Sequence, residues 1–240
     1  MKILCTADYH IDNWFDFFQL QENVRNIRSK YEIVVAAGDL FEAEFFIKNN
    51  PYRLLELLFP GKRVIATLGN HEFIQQNPKE VLKHLKEHCS EFVCYLDFSG
   101  KMVVGDFNFI GNVLWYDDSM AMYSFRTNYD FSIKKESDYK FNPRLKFDEC
   151  CAQVYENYDC QKKNILVTHM CPHRNMNRFI RSGEASNAYS GSRDYLEKLN
   201  FEIAICGHTH APVDSFFGGK RIVNVGSYKD RFLWKIIDAS

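Results

Sequence analysis

The sequence predicts an α/β fold, and three observations carry that expectation. Short apolar runs alternate with stretches of helical spacing, the chain is long enough for one sizeable core, and polar clusters stand where the apolar runs stop. With 240 residues, 46% hydrophobic and 25% charged, the composition fits a single domain over residues 1–240 better than two small ones. Ile3 to Ala7 reads as a buried strand, and Trp14 to Ile27 follows with Trp14, Phe17, Phe18, Val24 and Ile27 near helical spacing, which assigns its aromatic cluster to the core. Ile33 to Ala37 is a second strand, Pro51 to Phe59 a helix and Arg63 to Leu68 a third strand. Pro78 to His88 reads as a helix with proline in its first turn, where the missing N–H costs nothing. Strand, helix, strand, helix in succession implies a parallel sheet joined by right-handed crossovers.

The middle of the chain changes character. Phe92 to Leu96, Lys101 to Val104 and Phe107 to Val113 are short apolar runs set close together, as in antiparallel or mixed pairing. Residues 117–148 are polar, rich in Tyr, Phe, Asp and Lys and weakly periodic, so they are read as an irregular, lid-like segment in which Asp117-Asp118 and Lys134-Lys135 are solvated charge. Pattern returns with a helix from Phe147 to Tyr158, a strand from Asn164 to Thr168, a helix around Asp194 to Leu199 and a strand from Glu202 to Cys206. The tail, from Val213 to Phe217, Arg221 to Val225 and Phe232 to Ile237, alternates like three antiparallel strands, with Gly218-Gly219 as a hairpin turn.

Composition narrows the function classes. A formal net charge of −1 supplies no global basic field of the kind that drives non-specific binding to nucleic acid or anionic membranes. The eight cysteines form no C-x-x-C pair and several lie inside apolar runs, so they read as reduced and structural. The N-terminal run reaches Asp8 too soon for a signal peptide, and no apolar run approaches a membrane span; a cytoplasmic protein is the expectation.

The chemistry stands at the strand ends. The first strand is followed by Asp8-Tyr9-His10, the second by Gly38-Asp39, the third by Gly69-Asn70-His71-Glu72, a later one by His169, and the last of the series by Gly207-His208-Thr209-His210. In parallel α/β sheets the carboxyl edge is where ligands bind, so five runs deliver polar groups to one rim. His208 and His210 are two residues apart, which in extended chain aims both imidazoles the same way. Each residue alone has an ordinary structural explanation: Asp8 or Asp39 as a turn cap, Asn70 in a left-handed conformation, His169 as a hydrogen-bonded core histidine. Their joint arrival does not. Carboxylates, imidazoles and a carboxamide make a mixed N/O set suited to Mn, Fe, Zn, Ni or Co and poor for calcium, and seven ligands fit two ions that share a carboxylate.

In order and rough spacing, Asp8-x-His10, Gly38-Asp39, Gly69-Asn70-His71-Glu72, Val167-Thr168-His169 and Gly207-His208-Thr209-His210 resemble the five signature blocks of the calcineurin-like metallophosphoesterase superfamily. Asn224-Val225-Gly226-Ser227 looks like the strand end that often follows the last block. The resemblance implies a four-layer αββα sandwich, two mixed β-sheets flanked by helices, with two divalent metal ions, Mn foremost. By position, Asp8, His10 and His210 would bind one ion and Asn70, His169 and His208 the other, Asp39 would bridge, and His71 would be the catalytic histidine. The implied reaction is hydrolysis of a phosphomono- or phosphodiester by metal-activated hydroxide, with His71 protonating the departing alkoxide or, as imidazolium, stabilising the transition state.

Around this set the sequence leaves alternatives open. Glu42 occupies a place where relatives commonly carry an acidic residue; it either orients His71 or a ligand, or simply sits well at a helix start. Glu72 reads as structural. No Asp-Arg-Gly follows Gly38-Asp39, unlike the protein Ser/Thr phosphatases of the superfamily, and Gly69-Asn70-His71-Glu72 departs from the Gly-Asn-Arg-Asp of the UDP-diacylglucosamine hydrolases. Arg174, Arg178 and Arg181 follow His169 in a loop and are either substrate contacts for a phosphate or solvated surface charge. His173 reads as a polar pocket residue and not a ligand. Trp115 and Tyr116 either stack a base or, the favoured account, pack in the core, and Arg193 is undecided. The expected partner is a small-molecule or nucleotide phosphoester. A nuclease or phosphodiesterase acting on nucleic acid is the alternative. A catalytically silent scaffold of the same fold is a third reading; it requires missing ligands or a lost histidine, and neither is missing.

Overall fold

A computed structural model describes residues 1–117, 119–120, 143–177, 191–227 and 232–239. Its strands are β1 (Lys2–Thr6), β2 (Ile33–Ala37), β3 (Arg63–Thr67), β4 (Val93–Tyr95), β5 (Lys101–Val104), β6 (Phe107–Asn112), β7 (Lys163–Thr168), β8 (Ile203–Cys206), β9 (Val213–Phe217), β10 (Lys220–Asn224) and β11 (Lys235–Asp238). The helices are α1 (Trp14–Arg25), α2 (Ala43–Lys48), α3 (Pro51–Leu58), α4 (Pro78–Lys86), α5 (Leu96–Ser99) and α6 (Pro143–Asn157).

Two mixed sheets form, in the orders β11-β1-β2-β3-β4 and β5-β6-β7-β8-β10-β9. In the first, β1 to β4 run parallel and β11 closes the edge antiparallel to β1. In the second, β6, β7, β8 and β10 run parallel, flanked by antiparallel β5 and β9. Because side chains alternate along a strand, each sheet buries two apolar faces. Ile3, Cys5, Val35 and Ile65 of the first sheet meet Phe109, Ile165, Val167 and Ile205 of the second in one core layer. The intervening residues face helices: Leu4, Val34 and Val64 join Phe17 and Leu20 of α1 and Leu55 and Leu58 of α3, while Ile110 and Leu166 join Phe147 and Val154 of α6. This is the αββα sandwich.

Helix starts follow local rules. Asn13, Asn50 and Asn77 cap α1, α3 and α4 by accepting from Asp16 N, Arg53 N and Lys79 N, and Pro51 and Pro78 open their helices where no N–H is needed. No helix among the described residues is long and apolar enough to cross a membrane.

Several expectations are corrected. On α1 only Phe17, Leu20 and Val24 are buried; Trp14 is 45% and Phe18 54% exposed, on the flank of the stripe that those three turn inward. The tail is not a three-stranded meander: β9 and β10 form the hairpin, but β11 leaves for the other sheet, since alternation reveals a strand and not its partner. Within residues 117–148, residue 118 and residues 121–142, with Lys134 and Lys135, lie outside the described residues; from Pro143 onward the chain is already α6. Asp117 is no freely solvated charge, for it accepts from Ser192 Oγ at 2.9 Å and Ser119 N at 3.0 Å. The helix expected around Asp194 shrinks to a single 3-10 turn, Tyr195–Lys198. Trp115 and Tyr116 are buried, with Trp115 against Phe73, as the packing account requires.

Candidate metal centre

The carboxyl ends of β1, β2, β3, β7 and β8 open onto the same rim, three strands from one sheet and two from the other. Backbone hydrogen bonds stitch the loops together: Asp8 N to Gly38 O at 3.0 Å, His10 N to Asp39 O at 2.9 Å, and Gly207 N to His169 O at 3.1 Å. The turns are sharp. Among the described residues seven non-glycine positions have positive φ, and five of them are Asp8, His10, Asp39, His208 and His210. Left-handed backbone costs energy at a residue with a Cβ and persists where the surroundings impose it, typically at functional sites. Asn70, in contrast, is right-handed, with φ −74°.

Glycines make the room these side chains need. A Cβ on Gly207 would stand 2.6 Å from Asp8 Oδ2, and one on Gly69 would fall on the Asp39 carboxylate.

Ligand-type atoms then converge in three groups linked through His10 and Asp39: Asp8 with His10 and His210, His10 with Asp39 and His71, and Asp39 with His169 and His208. His10 Nε2 lies 3.2 Å from His210 Nε2, and His210 Nε2 is 3.7 Å from Asp8 Oδ1. His169 Nε2 is 3.0 Å from Asn70 Oδ1 and 3.1 Å from Asp39 Oδ2. Asp39 Oδ2 is also 4.0 Å from His10 Nε2, so this carboxylate stands between the groups.

The donor set fits a pair of cations. His169 Nδ1 bonds the Ala37 carbonyl at 2.9 Å, which fixes that nitrogen as the N–H donor and, in the neutral ring, turns the Nε2 lone pair toward two oxygens. Lone pairs facing oxygens repel unless a proton or a metal lies between them. Asp8 Oδ2 is buried with no hydrogen-bond partner, an arrangement that a cation would resolve. The protein's own charges show the same deficit. Burial, with Asp39 adding to it, pushes the Asp8 carboxyl up to about 7. Burial opposes ionisation of Asp39 too, but His169, His71 and His10 outweigh it and hold that carboxyl well below the usual range. Burial would lower His169, yet Asp39 and Asp8 raise it to about 10; His210, half-buried beside His10, falls to about 4 by desolvation and by the neighbouring imidazole.

His71 stands beside this set. Its ring lies 4.3 Å from that of His10, and its backbone N–H donates to Asp39 Oδ1 at 2.7 Å. Glu42 heads α2 but makes no side-chain capping bond, and its Oε1 meets His71 Nδ1 at 2.9 Å and His10 Nδ1 at 3.1 Å. Against the effect of burial, this carboxylate and Asp39 raise His71 to about 9, while the two imidazoles lower Glu42 to about 2.

Three supporting residues emerge only in three dimensions. Buried Glu72 accepts from Gly69 N at 2.7 Å and from Asp39 N and Phe41 N at 3.2 Å, clamping two ligand loops at once; burial and Asp39 push it up to about 7. Asn224 Nδ2 is within bonding distance of Gly207 O, Thr209 Oγ1 and Met176 O, which pins the His208–His210 turn to the end of β10. Asp97 accepts from Leu68 N at 2.7 Å and Val113 N at 2.8 Å, joining the exits of β3 and β6 across the two sheets. Glu72 sits in a quoted motif and Asn224 in the Asn-Val-Gly-Ser run; nothing in the sequence singles out Asp97.

The loop arginines do not join the ligand groups. Arg174 and Arg193 are exposed, and Arg178 and Arg181 lie outside the described residues. His173 is buried, with Nδ1 accepting from Asn175 N and Nε2 3.2 Å from Glu197 Oε1, a satisfied core histidine.

No curated protein matches this chain. Among solved structures, phosphopantetheinyl hydrolase from Mycobacterium tuberculosis superposes with a TM-score of 0.67 at 16% identity, over 95% of this chain and 90% of that one. A Thermus thermophilus protein gives 0.58 at 12% identity over 95% and 90%, and a dimetal phosphatase from Danio rerio 0.52 at 13% identity over 98% and 91%. At such identities the likeness is one of fold. The family model for calcineurin-like phosphoesterases matches residues 1–212, a span that holds all five strand ends of the candidate site, and the chain belongs to that family.

Proposed function

We propose that the protein is a dinuclear metal-dependent phosphoesterase that hydrolyses a small-molecule or nucleotide phosphoester. The observation that carries this reading is the series of ligand-type groups linked through His10 and Asp39, with the buried Oδ2 of Asp8 left without a hydrogen-bond partner. Asp8, His10 and His210 would hold one divalent ion, Asn70, His169 and His208 the other, with Asp39 between them, and Mn suits the mixed N/O set. When bound, such ions supply Lewis acidity that polarises a phosphoryl group and brings the pKa of water toward neutrality.

The chain's own residues do the rest. Glu42 holds His71 by Nδ1, so Nε2 is the nitrogen placed to hand over a proton, and the raised affinity of the ring keeps that proton at neutral pH. An imidazolium beside the rim would protonate a departing alkoxide, or stabilise negative charge on the equatorial oxygens. Asp39 orients His71 as well, by accepting its backbone N–H, so the bridging and proton-donating positions are mechanically joined.

The test is metal analysis together with a panel of bis-p-nitrophenyl phosphate, p-nitrophenyl phosphate, cyclic nucleotides and single-stranded DNA, with Mn added. Turnover of at least one ester that disappears with chelation is expected, and its pattern distinguishes monoester, diester and nuclease activity. Metal-loaded protein inert on every ester would contradict the reading.

A further inference from the structure

The end of α4 carries two histidines in helical register, His84 and His88, that take no part in the rim. Because β3 and β4 run parallel, α4 returns the chain from the carboxyl edge of the first sheet to its amino edge. Its last turn therefore stands at the edge opposite Asp39 and its neighbours.

Hydrogen bonds sort the four ring nitrogens. His84 Nε2 meets the Asn49 carbonyl at 2.9 Å and His88 Nδ1 meets the His84 carbonyl at 2.8 Å, so each of these nitrogens is the N–H donor. In the neutral rings the lone pairs are then left on His84 Nδ1 and His88 Nε2. Neither atom has a hydrogen-bond partner among the described residues and neither is buried, so both open to solvent. A backbone carbonyl on the far nitrogen is the arrangement that orients a ligating imidazole and raises its basicity. The His84 ring is held further by Phe46, which it meets edge-on with 5.7 Å between centres.

The two rings are spaced for chelation. Their centres are 4.8 Å apart and their planes inclined by 63°. An ion about 2.0–2.1 Å from a ring nitrogen stands about 3.2 Å from the centre of that ring, so two rings sharing one ion at about 90–109° have centres roughly 4.5–5.2 Å apart. The local field also suits a cation. The carbonyl end of a helix is its negative end, and the lysines beside the pair are engaged elsewhere: Lys83 lies 3.6 Å from Glu87, and Lys86 sits over the Phe98 ring.

We propose that His84 Nδ1 and His88 Nε2 form a metal site of their own, apart from the rim, which chelates one imidazole-preferring divalent ion of the zinc, nickel and copper group and completes its shell with water.

Zinc is the probe. The full chain is titrated with Zn above neutral pH, where protons no longer compete for the imidazoles, and the ring nitrogens are followed by heteronuclear NMR, which reads each histidine separately from those of the rim. His84 Nδ1 and His88 Nε2 should move together along one saturating curve, and Mg, which prefers oxygen ligands, should leave both in place. His84→Gln and His88→Gln each destroy the chelate and should weaken binding at the surviving ring by about 10²-fold. Cys89 is exposed beside His88 and a thiol also binds Zn, so Cys89→Ser is titrated in parallel and should give the wild-type curve. Absence of saturation at these two rings, separate curves for each, binding that survives either glutamine variant, or binding that vanishes with Cys89→Ser would each overturn the proposal.

Discussion

Glu42 meets the Nδ1 atoms of His10 and His71 together, and two predictions follow from that contact. Replacing His71 by Ala should leave metal content unchanged and lower kcat on an alkyl phosphodiester by about 10²–10⁴-fold, the usual worth of general acid–base catalysis. On a p-nitrophenyl ester the loss should be much smaller, because that leaving group departs without a proton; equal losses on both esters would refute the assignment. The second prediction concerns pH in the metal-free protein. The folded-state pKa of His71 is raised from 6.5 to about 9, so its contribution is complete below 6.5 and is lost as pH rises through 9. That of Glu42 is lowered from 4.5 to about 2, so its contribution is complete above 4.5 and is lost as pH falls through 2. The stability gap between wild type and Glu42→Gln, read by urea denaturation, should therefore be widest between these two plateaus and narrow on either side; a gap flat with pH would be inconsistent with the pairing. The seven proposed ligand positions share a rim that is legible in the sequence because each stands just past an apolar run, where chain direction alone fixes the edge. The partner of Glu42 is not legible, since a carboxylate at a helix start has the same local pattern whether it caps the helix or turns away toward a histidine.

The loops that carry the ligands are held by groups outside the ligand set, and Glu72 is the clearest case. Truncation to Ala would leave the buried amides of Gly69, Asp39 and Phe41 without acceptors, at a cost of about 3 kcal/mol or more. Chemical denaturation of Glu72→Ala should show that loss, together with weaker metal retention; a variant as stable as wild type would mean that water replaces the carboxylate without penalty. The strands of the parallel core follow from their apolar runs almost residue for residue, because burial on both faces leaves few polar positions to confuse them. Elements decided by neighbours do not. The six-residue helix α2 escapes notice because Phe45-Phe46-Ile47 is a continuous apolar run too short to show a period, and the alternation of β11 suggests a place beside β10 when its register belongs to β1. Residue type assigns Trp14 and Phe18 to the core, yet they stack on each other at the surface, and spacing cannot tell which edge of the helical stripe is covered.

The two sheets share their core layer but deliver the proposed ligands separately: Asp8, His10, Asp39 and Asn70 come from the first, and His169, His208 and His210 from the second. Ions held between them would pin one sheet to the other, so occupancy should stabilise the fold as a whole. At a free metal concentration 100 times Kd the gain is about 2.7 kcal/mol per site, on the order of 5–10 °C in Tm for a domain of this size. Calorimetry with Mn and with EDTA checks this, and identical melting curves would show that the ligand groups bind nothing. Binding should also release protons and weaken as pH falls, from about 10 downward because His169 must give up its proton and more steeply below about 7 where Asp8 must do so as well. The most direct measurement is anomalous diffraction from a crystal grown with Mn. Two peaks about 3.5–4 Å apart are predicted, one against Asp8, His10 and His210 and the other against Asn70, His169 and His208, with Asp39 touching both. A single fully occupied peak, or none within reach of these side chains, would contradict it.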